Sequence, residues 1–221
     1  MKNKMIAKAI LIFFGVAFFY ACSEEGEFKI WKSKVTVIGI QPFGDVKQGE
    51  IDSVQTAIAN MYSLRVEVLE PIPLPKEAYT EIRYPRYRAD TLVQWLSENK
   101  PDSVDIVVGL TNKDISITKY KDAARTKIKD PTWQYRDFGI YGLGRIGGSS
   151  CVVSSNRLRK NGTEKQFFVR LCRIACHEVG HVLGLKHCPE KACLMNDANE
   201  KISTIDNSTG SLCEKCWSKI D

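Results

Sequence analysis

His177-Glu178-Val179-Gly180-His181-Val182-Leu183-Gly184-Leu185-Lys186-His187 contains every histidine of this 221-residue chain. Residues four apart lie one turn apart on the same helix face, so His177 and His181 can reach one ion from one helix. Gly184 follows where that helix has to stop, because glycine accepts the left-handed conformation that commonly ends a helix. The chain can then turn back and bring His187 to the same ion. Three neutral imidazoles leave the fourth position of a tetrahedral zinc for water, the arrangement of catalytic zinc sites. Glu178 neighbours the first ligand and is placed to act as general base. The segment therefore points to a zinc-dependent hydrolase, most simply a peptidase, rather than to an ordinary buried helix with hydrogen-bonded histidines.

A second constellation starts at the next residue. Cys188, Cys193, Cys213 and Cys216 read C-x4-C-x-M-x17-C-x2-C. Four thiolates in two spaced pairs can close a tetrahedral zinc shell with no open position, as structural sites do. Two disulfides or reduced buried thiols are the alternatives, the former because the N-terminus suggests export. Zinc is the expectation, since a C-x2-C pair is too close for an easy mutual disulfide.

The run from His177 through Met195, followed by Cys213-Glu214-Lys215-Cys216, resembles the archaemetzincin family of zinc metallopeptidases. The resemblance implies that His177, His181 and His187 bind the catalytic zinc and that Glu178 is the general base. It implies a second, structural zinc on Cys188, Cys193, Cys213 and Cys216. Met195 would be the methionine of the turn beneath the catalytic site. The implied fold is a metzincin-like mixed, twisted sheet with an active-site helix and a C-terminal zinc-bound loop region. In such proteins a strand at the sheet edge, next to the active helix, pairs with extended substrate.

The N-terminus reads differently. Lys2, Lys4 and Lys8 give a basic start, and residues 9–21 form an apolar run of thirteen. That is short for a bilayer span but suits a signal-peptide core. Ala21 before Cys22 resembles a bacterial lipoprotein cleavage site, although Phe19 and Tyr20 replace the usual residues. Expected boundaries are a signal peptide over 1–21, a tether over 22–33 and a catalytic domain over 34–221. Cys22 would carry lipid and hold the protein to a membrane on its extracytoplasmic face.

Residues 22–221 are ample for one core. The whole chain has a net charge of +6, three units of which come from lysines 2, 4 and 8. The remainder is too small, and too scattered, to argue for nucleic acid. Strands are expected at 35–40, 64–69, 105–110 and 150–154, and helices at 50–62, 91–98 and from Thr163 to near Leu183. Thr163 and Gln166 form a capping box for the last of these. Prolines 71, 73 and 75 force a loop. Residues 111–149 resist assignment, and their glycines at 139, 142, 144, 147 and 148 suggest bends near a cleft. The β-α-β order implies an α/β fold with a mixed sheet. Cys151, Cys172 and Cys176 are expected to be small buried side chains rather than redox or metal groups.

The expected reaction is peptide-bond hydrolysis in which Glu178 takes a proton from the attacking water. No histidine is left for the oxyanion, and no tyrosine follows Tyr141. Its stabilisation falls to the metal, backbone amides or an upstream tyrosine. The competing expectation is a membrane-anchored zinc-binding protein without peptidase activity. Glu178 beside an open coordination position argues against it, and aminopeptidase and endopeptidase are both open.

Overall fold

The computed structural model describes residues 35–197 and 201–220. The expected signal peptide, Cys22 and the expected tether lie outside the described residues. The chain builds strand β1 (Val37–Phe43), helix α1 (Gln48–Tyr62), β2 (Arg65–Val68), β3 (Tyr79–Thr80), β4 (Arg86–Arg88) and α2 (Ala89–Glu98). Then follow β5 (Ile106–Thr111), β6 (Ile115–Ile117), α3 (Thr132–Tyr135), β7 (Phe138–Ile140), β8 (Gly142–Gly144) and β9 (Ser150–Ser154). Helices α4 (Glu164–Val182), α5 (Ile202–Asn207) and α6 (Glu214–Ile220) complete it.

The main sheet has the order β2-β1-β5-β9-β8. Its first four strands run parallel, and β8 pairs antiparallel with β9 at the edge. The mixed α/β sheet expected from the sequence is therefore present. Side chains alternate across the central strands, as a pleat requires. Ile106, Val108 and Leu110 of β5, with Cys151 and Val153 of β9, face the layer of α1 and α4. Val107 and Val152 face the opposite layer, where Leu92, Val93 and Leu96 of α2 cover them. Both faces are buried, so β5 and β9 read as near-continuous apolar runs rather than alternating ones. Each such Val, Ile or Leu contributes roughly 1.5–3 kcal/mol on burial.

A second sheet, β3-β4-β6-β7, was not foreseen. Its strands are two or three residues long, too short to show a period. The first strand also begins and ends later than expected, at Val37–Phe43. Phe43 stays in the sheet because Trp95 packs edge-on against it, with ring centroids 6.1 Å apart.

Candidate metal centre and active-site cleft

Helix α4 carries the first two histidines, and both of its ends are built into the sequence. Thr163 Oγ1 accepts from the Gln166 amide at 3.2 Å, while Gln166 Oε1 accepts from the Thr163 amide at 2.8 Å. This reciprocal cap satisfies two donors the helix would otherwise leave open. At the other end Gly184 has φ +100°. Its amide donates to His181 O, and the Leu185 amide donates to Gly180 O, each at 2.9 Å. That turn folds the chain back so that His187 faces the helix.

One ring nitrogen from each of His177, His181 and His187 lies within 4.8 Å of the others. His177 Nδ1 meets Leu194 O at 2.8 Å, and His181 Nδ1 meets Leu185 O at 2.7 Å. A carbonyl can only accept, so both Nδ1 atoms carry the proton and both Nε2 atoms present lone pairs. His181 Nε2 and His187 Nε2 are 3.2 Å apart. Two nitrogens at ~2.0–2.1 Å from one tetrahedral zinc would stand about that far apart. Burial, then the charge of His181, pushes His177 down to about 4. Burial lowers His181 as well. The His177 and His181 rings are thus held neutral, the form that ligates a metal.

Glu178 lies beside them, buried, on the same helix. Burial pushes its pKa up to about 8, against the opposing pull of the Gly144 amide. A cation at the three nitrogens would favour the ionised form and counter that rise. The carboxylate reaches the cleft because β8 offers glycines where other residues have side chains. A Cβ on Gly142 would come within 2.7 Å of Glu178 Cγ, and one on Gly144 within 2.5 Å of Glu178 O. The sheet edge therefore lies directly on the catalytic turn of the helix.

Met195 is fully buried beneath the site. Its Sδ would be 2.5 Å from a Cβ placed on Gly180, the residue midway between Glu178 and Val182. Leu194, which fixes His177, immediately precedes it.

The four predicted cysteines also meet. Their sulfurs lie within 4.8 Å of one another, with Cys188–Cys213 at 3.7 Å and Cys193–Cys216 at 3.8 Å. A disulfide would need ~2.05 Å. Sulfurs ~2.3 Å from a tetrahedral zinc would stand about 3.8 Å apart, so the donor set fits that ion. Burial, reinforced by the Cys213 and Cys188 thiols, pushes Cys216 well up from its ordinary value; four thiols this close need a cation to ionise together. Cys151 and Cys176 are buried in the core, and Cys172 is partly buried, its thiol directed at Ser53 O at 3.4 Å.

The histidines and Glu178 open onto a cavity of about 500 Å³, lined also by Ile146, Asn196, Thr204 and Ser208. Several of its groups went unrecognised in the sequence. Tyr141 is the one tyrosine that lines it among the described residues. Arg157 and Arg173 line the end towards α5, and Asp197 stands near His187, with Oδ2 3.7 Å from Nδ1. Nothing in their local spacing marks them, because four separate segments of the chain bring them together.

Three converging imidazoles and a buried carboxylate under the antiparallel edge of an α/β sheet define a zinc metallopeptidase. Residues 35–221 match the family model of peptidase family M54, and the chain belongs to that family, the archaemetzincins. The archaemetzincin of Haloarcula marismortui is 29% identical over 191 residues, covering 83% of this chain and 98% of that protein. Among solved structures, archaemetzincin from Archaeoglobus fulgidus, complexed with malonate, superposes with a TM-score of 0.65 at 24% identity, covering 84% of this chain and 100% of that one. Archaemetzincin from Methanopyrus kandleri gives 0.66 at 22% identity, covering 83% and 92%.

Proposed function

We propose that this metallopeptidase cleaves within peptide chains, with His177, His181 and His187 holding the catalytic zinc and Glu178 acting as general base. The observation that carries the reading is the placement of Glu178: buried, one residue from the first ligand, and open to the cleft through the two glycines of β8. A zinc ion held by His177, His181 and His187 would supply Lewis acidity there. Glu178 then takes the attacking water's proton and passes it to the leaving amine. An extended substrate adds to the free edge of β8, as strands add to open sheet edges. Ile146, next to the Gly147 amide that bonds His181 O, and Ile205, whose carbonyl bonds Arg173 one turn before His177, both line the cleft, which favours cutting inside a chain over trimming its end.

Cys188, Cys193, Cys213 and Cys216 hold a second, structural zinc. Held there, it would brace the segment that supplies Leu194 O to His177 and Met195 beneath Gly180. Residues 1–21 act as a lipoprotein signal and Cys22 as the lipidated first residue of the mature protein. The basic start and the apolar run before Ala21 support this.

Incubating the zinc-loaded protein with a defined peptide mixture and mapping the cuts by mass spectrometry tests the proposal. Internal cuts are expected. Release of single N-terminal residues alone would replace endopeptidase with aminopeptidase, and no cuts at all would favour a zinc-binding protein without peptidase activity.

A further inference from the structure

Residues 119–129 double back as a short antiparallel hairpin. Tyr120 and Ile128 form its bridge, the Lys121 amide donates to Lys127 O at 2.8 Å, and the Lys129 amide donates to Lys119 O at 2.9 Å. This register sets Lys119 opposite Lys129 and Lys121 opposite Lys127. Successive side chains of extended backbone point to opposite faces, so the four lysines share one face and Tyr120 and Ile128 take the other. The sequence hides this cluster, because Tyr120, the turn and Ile128 separate the lysines along the chain.

Like charges placed directly opposite one another destabilise a strand pair, and the hairpin does little to neutralise them. Over residues 119–130 five cations, these lysines and Arg125, meet two carboxylates, Asp122 and Asp130. Asp122 is engaged by the turn, where it accepts from the Thr126 and Lys127 amides, each at 3.0 Å. Asp130 pairs with Lys121, whereas Lys127 and Lys129 pair with no carboxylate among the described residues.

Aromatic rings hold the face in place. Tyr135 and Phe138 stack with centroids 5.4 Å apart. Lys129 Nζ sits 4.7 Å from the Tyr135 centroid, and Lys119 Nζ 4.3 Å from that of Phe138. The Lys119 amide also donates to Tyr135 O at 2.8 Å. Cations over ring faces are attracted electrostatically, so these two ammonium groups have fixed places. Lys119 and Phe138 line the same cavity as Glu178 and the three histidines. The lysine face therefore starts at the cleft wall, and the Lys121–Lys127 pair lies two residues farther along the hairpin, about 7 Å.

We propose that this face docks an acidic segment of the substrate polypeptide, outside the residues at the bond that is cut. The inference rests on the peptidase reading given above. Continuity with the cleft wall names the occupant. A chain that lies in the cleft and leaves past Phe138 crosses the lysines, and its carboxylates meet Lys127 and Lys129, which the protein leaves without one. Complementarity of this kind steers encounter and fixes register, and salt screens it.

The test uses the full-length zinc-loaded protein and one cleavable peptide carrying a run of glutamates or of glutamines beyond a short spacer. The run is at the N-terminal end in one pair of peptides and at the C-terminal end in the other. In one of the two pairs the glutamate peptide is expected to show a KM about five-fold or more below that of its glutamine partner, with kcat little changed and the difference shrinking as salt is raised. Lys127→Glu with Lys129→Glu is expected to abolish the difference, and Lys127→Arg with Lys129→Arg to keep it. Because each ratio is taken within one protein, partial unfolding or zinc loss cancels. Cleavage with equal KM in both pairs, or a preference that survives the charge reversal, overturns the docking face and leaves the peptidase. Binding to phosphatidylglycerol vesicles that the charge reversal abolishes, in place of any peptide preference, assigns the face to a membrane and likewise overturns the proposal. Binding of the same peptides to Glu178→Ala separates the two readings. Tighter binding of the glutamate peptide there, without cleavage by wild type, overturns the peptidase and keeps the face as a site for acidic peptide. Neither cleavage nor preferential binding overturns both.

Discussion

At the scale of single residues, the site depends on how protons are held. Two carbonyls, Leu194 O and Leu185 O, set the tautomers of His177 and His181, and burial keeps those rings neutral. Glu178 carries the opposite burden, since burial raises it from 4.5 to about 8. In the metal-free protein a carboxyl so raised keeps a proton that the unfolded chain releases. The stability it contributes is complete below about pH 4.5 and is lost as pH rises through about 8, because the unfolded state ionises first. Glu178→Gln removes that dependence. The melting temperature of the metal-free variant relative to metal-free wild type is expected to climb between those two pH values, with the histidine contributions common to both. A gap that stays constant across the window would contradict the burial of Glu178.

At the scale of elements, β8 and α4 form one unit. Their separation is set by the glycines of β8, so adding a methyl group has different consequences at the two positions. Gly144→Ala presses a Cβ onto the Glu178 carbonyl, at 2.5 Å, where only backbone can yield. A loss of about 1–3 kcal/mol in urea denaturation is expected. Gly142→Ala meets the Glu178 side chain at 2.7 Å, which can rotate away. It is expected to cost less stability and more kcat; equal stability losses would argue against this packing. These elements also show what could be seen in the sequence and what could not. Helix α4 was legible because its cap, Thr163 and Gln166, and its stop, Gly184, are local signals. Strand β5 was legible because Ile106, Val107 and Val108 form a continuous buried β-branched run. Strand β8, Gly142-Leu143-Gly144, has no period and no apolar run, since its role is to let a helix come close. The second sheet escaped for a related reason: its strands take their order from distant partners, such as Tyr87 with Ile115 and Ile115 with Ile140. The gathering of three histidines and of four cysteines was legible because metal chemistry would fix residue type and spacing together.

At the scale of the whole molecule, one segment joins the histidine cluster and the cysteine cluster. His187 precedes Cys188, and Cys193 precedes Leu194 and Met195, so the cysteine cluster and the histidine site share the same turn. Two zinc ions per chain are expected by elemental analysis. A chelator should take the three-histidine ion first, because an open site exchanges faster than a closed one; one zinc per chain with disulfides among the four cysteines would refute this. Cys22→Ser is expected to leave the precursor uncleaved or misplaced, as read by fractionation and intact mass. An unmodified mature protein in the soluble extracytoplasmic fraction would rule the anchor out. The central claim, that Glu178 performs chemistry on a metal it does not ligate, is tested most directly by measuring zinc content and peptide hydrolysis together in Glu178→Ala and His181→Ala. Glu178→Ala is expected to keep wild-type zinc and lose about 10²–10⁴-fold or more in rate, while His181→Ala loses the catalytic zinc and the activity together. Hydrolysis at the wild-type rate by zinc-loaded Glu178→Ala would contradict the account.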